Sequence, residues 1–170
     1  LAASILLTFV LHGPGLFAQP GASYKNPLSV TFGDPYVLHV KGKYYMYGTG
    51  GGAKNGFAAY SSTNLMDWKP EGQVYYASNV NGWSDSTAAW DGAYWAPEVY
   101  EHKGKFYMFY SAQWKQNSNK ELENFRIGVA VADNATGPFI DLSNKPVFDP
   151  GYPTIDANVL FDSNGKIYLY

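Results

Sequence analysis

The feature that most restricts what this chain can fold into is a phrase that occurs three times. Asp34 to Tyr47 returns as Ala96 to Phe109, and again as Asp156 to Leu169 with one extra residue in its turn. Each copy is an alternating run, a turn containing glycine (Gly42, Gly104, Gly165), and a second run rich in aromatic residues. That pattern describes a β-hairpin. Further strand-like runs lie between the copies, at Phe57 to Ser61, Gln73 to Tyr76 and Arg126 to Ala132. Four strands per unit of roughly 60 residues fit propeller blades joined by long loops. Helical periodicity is almost absent; the stretch Asn119 to Phe125 sustains no apolar stripe and reads as loop. The expected fold is all-β, with two blades and the opening hairpin of a third. A ring needs at least four blades to close, so the chain is expected to be incomplete and inactive as an isolated piece.

Composition narrows the function. Aromatic residues make up 18% of the 170 residues, and 15 of them are Tyr, which offers a flat apolar face with a polar tip. The net charge is −2 without a block of like charges, which excludes a phosphate-neutralising surface for nucleic acid and a basic membrane patch. There is no cysteine, which excludes disulfides, thiolate metal sites and a cysteine nucleophile. An uncharged substrate fits best.

Residues 1–22 read as a targeting segment. Leu1 to Leu11 is apolar and too short to span a bilayer, and Gly13-Pro14-Gly15 follows it. This is expected to be the apolar core of a signal peptide whose basic start is missing, with cleavage after Ala18 or Ala22. The mature protein, residues 23–170, is then secreted or periplasmic and free of the membrane.

Aligning the repeats isolates the candidate chemistry. The first position of the hairpin is Asp34, Ala96 and Asp156 in the three units. In a propeller the same edge of each innermost strand faces the central channel, so Asp34 and Asp156 are expected to face one depression. Two carboxylates around a shared depression suit inverting glycoside hydrolysis, which needs a base for water and an acid for the leaving oxygen. Asp is also a good turn residue beside Pro35, and that structural alternative stays open on spacing alone.

Longer phrases carry a resemblance. Asn26-Pro27-Leu28, Gly33-Asp34-Pro35-Tyr36-Val37 and Tyr44 to Tyr47 resemble the first blade of glycoside hydrolase family 43, as does Tyr60 to Trp68. Trp95-Ala96-Pro97-Glu98-Val99, then Ile127 to Ala132 with Gly137-Pro138-Phe139, resemble its second blade, and Ile155 to Asp162 its third. The resemblance implies a five-bladed β-propeller that hydrolyses β-xylosides or α-L-arabinofuranosides of plant cell walls with inversion. It implies Asp34 as general base and Asp156 as the carboxylate that raises the pKa of the acid and orients it. The general acid would be a Glu of a later blade, which this chain does not contain; Glu98 belongs to the second-blade phrase and is not the donor. No cofactor is required, although relatives can hold a calcium ion in the central channel through a later-blade His. The three histidines here do not form a ligand cluster, and no metal-binding residues are assigned.

Sugar contacts are expected from Trp95, beside the first position of the second hairpin, and from Trp90 and Asn158; the alternatives are core packing for the tryptophans and strand capping for Asn158. Asp85 and Asp91 lie in the loop before the second blade, and Trp114 is a further aromatic candidate. Two other functions remain open. One is another five-bladed glycoside-acting enzyme, such as a fructan hydrolase with its first Asp as nucleophile. The other is a propeller that binds carbohydrate without catalysis.

Overall fold

In the computed structural model the described residues are 28–77, 82–85, 94–116 and 123–170. They form two four-stranded antiparallel sheets and a separate hairpin, with no helix among them. The first sheet runs in chain order through β1 (Phe32–Val40), β2 (Lys43–Gly50), β3 (Gly56–Ser62) and β4 (Lys69–Tyr76). The second repeats this with β5 (Tyr94–His102), β6 (Lys105–Gln113), β7 (Phe125–Ala132) and a two-residue β8 (Ile140–Asp141). The third repeat contributes β9 (Val159–Phe161) and β10 (Ile167–Leu169). This is the expected pair of blades with the opening hairpin of a third. The signal-peptide reading, and the part of the loop reading that falls on residues 119–122, lie outside the described residues.

Turn chemistry explains the hairpins. Lys41-Gly42 and Lys103-Gly104 have identical φ values of 50° and 75°, the two positive dihedrals that a two-residue turn needs to match strand twist. In the third hairpin the extra residue changes the loop: the Gly165 amide donates to the Asp162 carbonyl, and only Gly165 has positive φ there. Strand β4 starts earlier than the sequence suggests. Its first residues, Lys69-Pro70-Glu71-Gly72, read as a turn, but an outer strand tolerates proline and the β3–β4 ladder absorbs the irregularity in two register shifts.

The core lies between blades. Side chains from both sheets, including Tyr47, Phe57, Tyr75, Val99, Met108 and Tyr110, form one buried cluster. A second cluster joins Phe109, Ile127 and Val129 of the second blade to Ala157 and Val159 of the third hairpin. Alternation along β6 serves both: Met108 and Tyr110 face the first blade, and Phe109 the third hairpin. A blade buried on two faces reads as a nearly continuous apolar strand, as Phe106 to Ala112 does. On the third hairpin, Leu160, Ile167 and Tyr170 are exposed.

Candidate active site

The three first-position residues share one unusual backbone state. Asp34, Ala96 and Asp156 have φ of 48°, 43° and 60°, in the left-handed region. For an L-residue that conformation costs about 1–2 kcal/mol, with Asp more tolerant than Ala because its side chain can hydrogen-bond locally. Since Ala96 adopts it too, the geometry belongs to the fold and not to the carboxylate. A bulge accompanies it. Between Gly33↔Thr49 and Tyr36↔Tyr47 the ladder gains a residue on β1, and the same shift occurs on β5 between Trp95 and Glu98. Bulges re-aim a side chain at the end of a strand, and they accommodate Pro35 and Pro97, which lack the N–H a regular ladder uses. Asp34 and Asp156 are both exposed.

A hydroxyl ties the second and third of these turns to the preceding blade. At the end of β2, Thr49 Oγ1 donates to Asp34 Oδ2 at 2.9 Å and accepts the Ala96 amide at 2.8 Å. At the equivalent place on β6, Ser111 Oγ accepts the Asp156 amide at 3.0 Å. Ser111 is fully buried. Ala96 and Asp156 are thereby held in the same way by the blade before them, whereas Asp34 is bonded through its carboxylate to Thr49 of its own blade.

Two residues further along, Glu98 and Asn158 meet at the second junction. Glu98 Oε2 accepts from the Tyr100 hydroxyl and from Asn158 Nδ2, the latter at 3.1 Å. Tyr100 Oη in turn accepts from Asn158 Nδ2 and from the Val159 amide, at 3.2 and 3.0 Å. Burial, helped by the Glu98 charge, pushes the Tyr100 phenol up, so it remains a donor at neutral pH. Tyr36 lies against it with ring centroids 5.5 Å apart. Asn158 therefore spends its amide hydrogens on the second blade, and Glu98 is a junction residue.

Among the tryptophans, Trp95 is half-buried and stacks on Phe125. Trp114 lies under the Arg126 guanidinium, 5.4 Å from ring centroid to Cζ. Trp68 donates to the Leu65 carbonyl within its own loop. The Asp85 amide donates to the Gln113 carbonyl. Trp90 and Asp91 lie outside the described residues. Sequence reasoning missed Thr49, Ser111 and Tyr100; Thr49 follows Asp34 by the interval at which Ser111 follows Ala96, and that match was the available signal.

A family model for glycosyl hydrolases family 43 matches residues 24–170. The chain belongs to glycosyl hydrolase family 43. It is 28% identical over 165 residues to an arabinoxylan arabinofuranohydrolase of Bacillus subtilis, an alignment covering 85% of this chain and 30% of that protein. To an extracellular exo-α-(1→5)-L-arabinofuranosidase of Cellvibrio japonicus it is 25% identical, over 80% of this chain and 39% of the other. Among solved structures, a thermostable family 43 glycoside hydrolase superposes with a TM-score of 0.71 at 33% identity, over 86% of this chain and 44% of that one. An endo-1,4-β-xylanase from Bacteroides thetaiotaomicron gives 0.66 at 37% identity, over 83% and 42%. The chain spans less than half the length of each of these relatives.

In this family 43 chain, the described residues include no group of three or more His, Asp or Glu side chains placed to hold a metal ion. His39 stacks on Tyr44 and His102 on Phe161, with centroids 4.4 and 4.5 Å apart. For the channel calcium that relatives can hold, the described residues offer no ligand set of this kind. No described helix is long and apolar enough to cross a membrane.

Proposed function

We propose that the protein carrying these blades hydrolyses O-glycosidic bonds of pentose-containing plant glycans, β-xylosides or α-L-arabinofuranosides, with inversion at the anomeric carbon. Asp34 is the general base: ionised, it takes a proton from a water as that water attacks the anomeric carbon on the face opposite the leaving group. Asp156 orients the general acid and, by its charge, favours the acid's protonated form. The acid comes from a part of the protein outside this sequence and would stand roughly 6.5 to 9.5 Å from the base, leaving room for the water. The observation that supports this reading is the shared left-handed backbone: Asp34 and Asp156, first residues of the first and third hairpins, have φ of 48° and 60°. Trp95 is the proposed sugar platform, with Trp90 and Asn158 as further contacts. Secretion is part of the proposal, supported by the apolar run Leu1 to Leu11 and by relatives named extracellular.

The test is an assay of the whole protein on aryl β-xyloside, aryl α-L-arabinofuranoside and linear arabinan, beside Asp34→Asn. Release of pentose that falls at least about a thousandfold in the variant, with inverted product, supports the assignment. Retained configuration would make Asp34 a nucleophile. A folded protein that binds xylo- or arabino-oligosaccharides without cleaving them would be a binding propeller.

A further inference from the structure

One side chain touches both the proposed base and the neighbouring blade. The Ala96 amide can only donate, so in its 2.8 Å bond Thr49 Oγ1 must be the acceptor. The single hydroxyl proton is then committed to Asp34 Oδ2 at 2.9 Å, because an ionised carboxylate can only accept. The direction of the whole relay is fixed, from the second blade's backbone through Thr49 to the first blade's carboxylate.

The second junction separates the two halves of this arrangement. Ser111 stands opposite Trp95 on the ladder as Thr49 stands opposite Gly33, and it accepts the first-position amide of the next unit in the same way. In its own blade, however, the first position is Ala96, which has no carboxylate to receive the Ser111 proton. The amide link is therefore the general device that joins successive blades. Donation to a carboxylate is an addition in the first blade, whose first position is Asp.

We propose that Thr49 is a positioning residue for the hydrolytic reaction, holding the rotamer of Asp34 so that Oδ2 is occupied and Oδ1 is presented to the attacking water. The left-handed backbone at Asp34 fixes where the side chain leaves the strand, and Thr49 fixes its remaining torsions. A water must be held in line with the anomeric carbon, and a carboxylate free to rotate would spend much of its time unable to take the proton. Because Thr49 is itself held by the amide of Ala96, the register between the two blades sets the orientation of the base. This inference rests on Asp34 being the base.

The experiment measures kcat and KM of the whole protein on its cleaved aryl pentoside for Thr49→Val, Thr49→Ser and Asp34→Asn, with thermal melting of each. Val keeps the shape and removes the hydroxyl; Ser keeps the hydroxyl. We expect Thr49→Val to lower kcat about ten- to a hundredfold while KM moves less than about twofold, and Thr49→Ser to recover kcat to within about threefold of wild type. Should Thr49→Val fail to fold, Thr49→Ala carries the same comparison. A kcat within about twofold of wild type in the hydroxyl-free variant overturns the proposal. So does an equal loss in Thr49→Ser, or a loss that appears only as raised KM and lowered melting temperature, the mark of a residue that merely joins the blades. If Asp34→Asn itself keeps its activity, the base assignment has failed, and that result is separate from the behaviour of Thr49.

Discussion

Trp95 and Phe125 are stacked, with ring centroids 4.0 Å apart and planes inclined by 27°. Phe125 is buried at the start of β7, so the indole is held on one side by a ring that cannot move away. Aromatic pairs of this kind contribute about 0.5–1.5 kcal/mol beyond the area they bury. A sugar platform at Trp95 would be a ring pinned from behind. Trp95→Ala is expected to lower stability by about 2 kcal/mol and to raise KM for pentosides about tenfold. Urea unfolding and steady-state kinetics measure the two effects. A stability loss with unchanged KM would make Trp95 a packing residue only.

The left-handed φ of 43° at Ala96 is strained for an alanine, and glycine removes that strain. Ala96→Gly should raise unfolding free energy by about 0.5–1 kcal/mol, after allowing for the greater freedom of glycine in the unfolded chain. Denaturant titration gives the number. A less stable variant would mean that the Cβ of Ala96 packs more favourably than its backbone is strained.

Tyr100 Oη holds the third hairpin to the second blade through the Val159 amide and the Asn158 side chain. Tyr100→Phe keeps the ring and takes the acceptor from the Val159 amide, while Asn158 Nδ2 keeps Glu98 Oε2, a loss of about 1–2 kcal/mol. Amide exchange at Val159 should quicken before exchange in β6 does. Uniform quickening across the second blade would contradict a local role for this hydroxyl.

Asp141 provides a pH test. It accepts from Tyr110 at 2.5 Å and from Tyr75 at 3.1 Å, and burial, only partly offset by these bonds, raises its pKa above the ordinary 3.8. With the folded value above the unfolded one, its contribution to stability is fully present below pH ~4 and is lost as pH rises through the folded value. Asp141→Asn cannot titrate. The melting temperature of wild type minus that of the variant should therefore fall with rising pH across this window and be flat above it. A difference that rises with pH would show that the two phenols stabilise the carboxylate more than burial penalises it.

The blades were readable because their determinants are local. A glycine-containing turn between alternating runs specifies a hairpin without reference to anything distant, and three such hairpins in series specify the propeller. Aligning them singled out Asp34 and Asp156 as the candidate carboxylates. What could not be read was how those residues are held. Pro35 and Pro97 inside apparent strands hinted at the bulge, but the left-handed turn emerges only from the ladder around it. Tyr75, Tyr110 and Asp141 come from strands far apart in sequence, and their shared hydrogen bonds follow from blade packing, which no local pattern encodes. Asn158 shows the same limit: its place in the repeat was clear, whereas its partners, Glu98 and Tyr100, belong to the neighbouring blade.

The common left-handed turn at Asp34, Ala96 and Asp156 also bears on how such a protein can change over generations. Asp and Ala codons differ by a single base, and the turn accepts either residue. A blade copied by duplication brings along a ready-made socket, in which a carboxylate can be gained or discarded by point mutation while the backbone around it stays as it was. Chemistry in this architecture can thus be reassigned from blade to blade without inventing new structure.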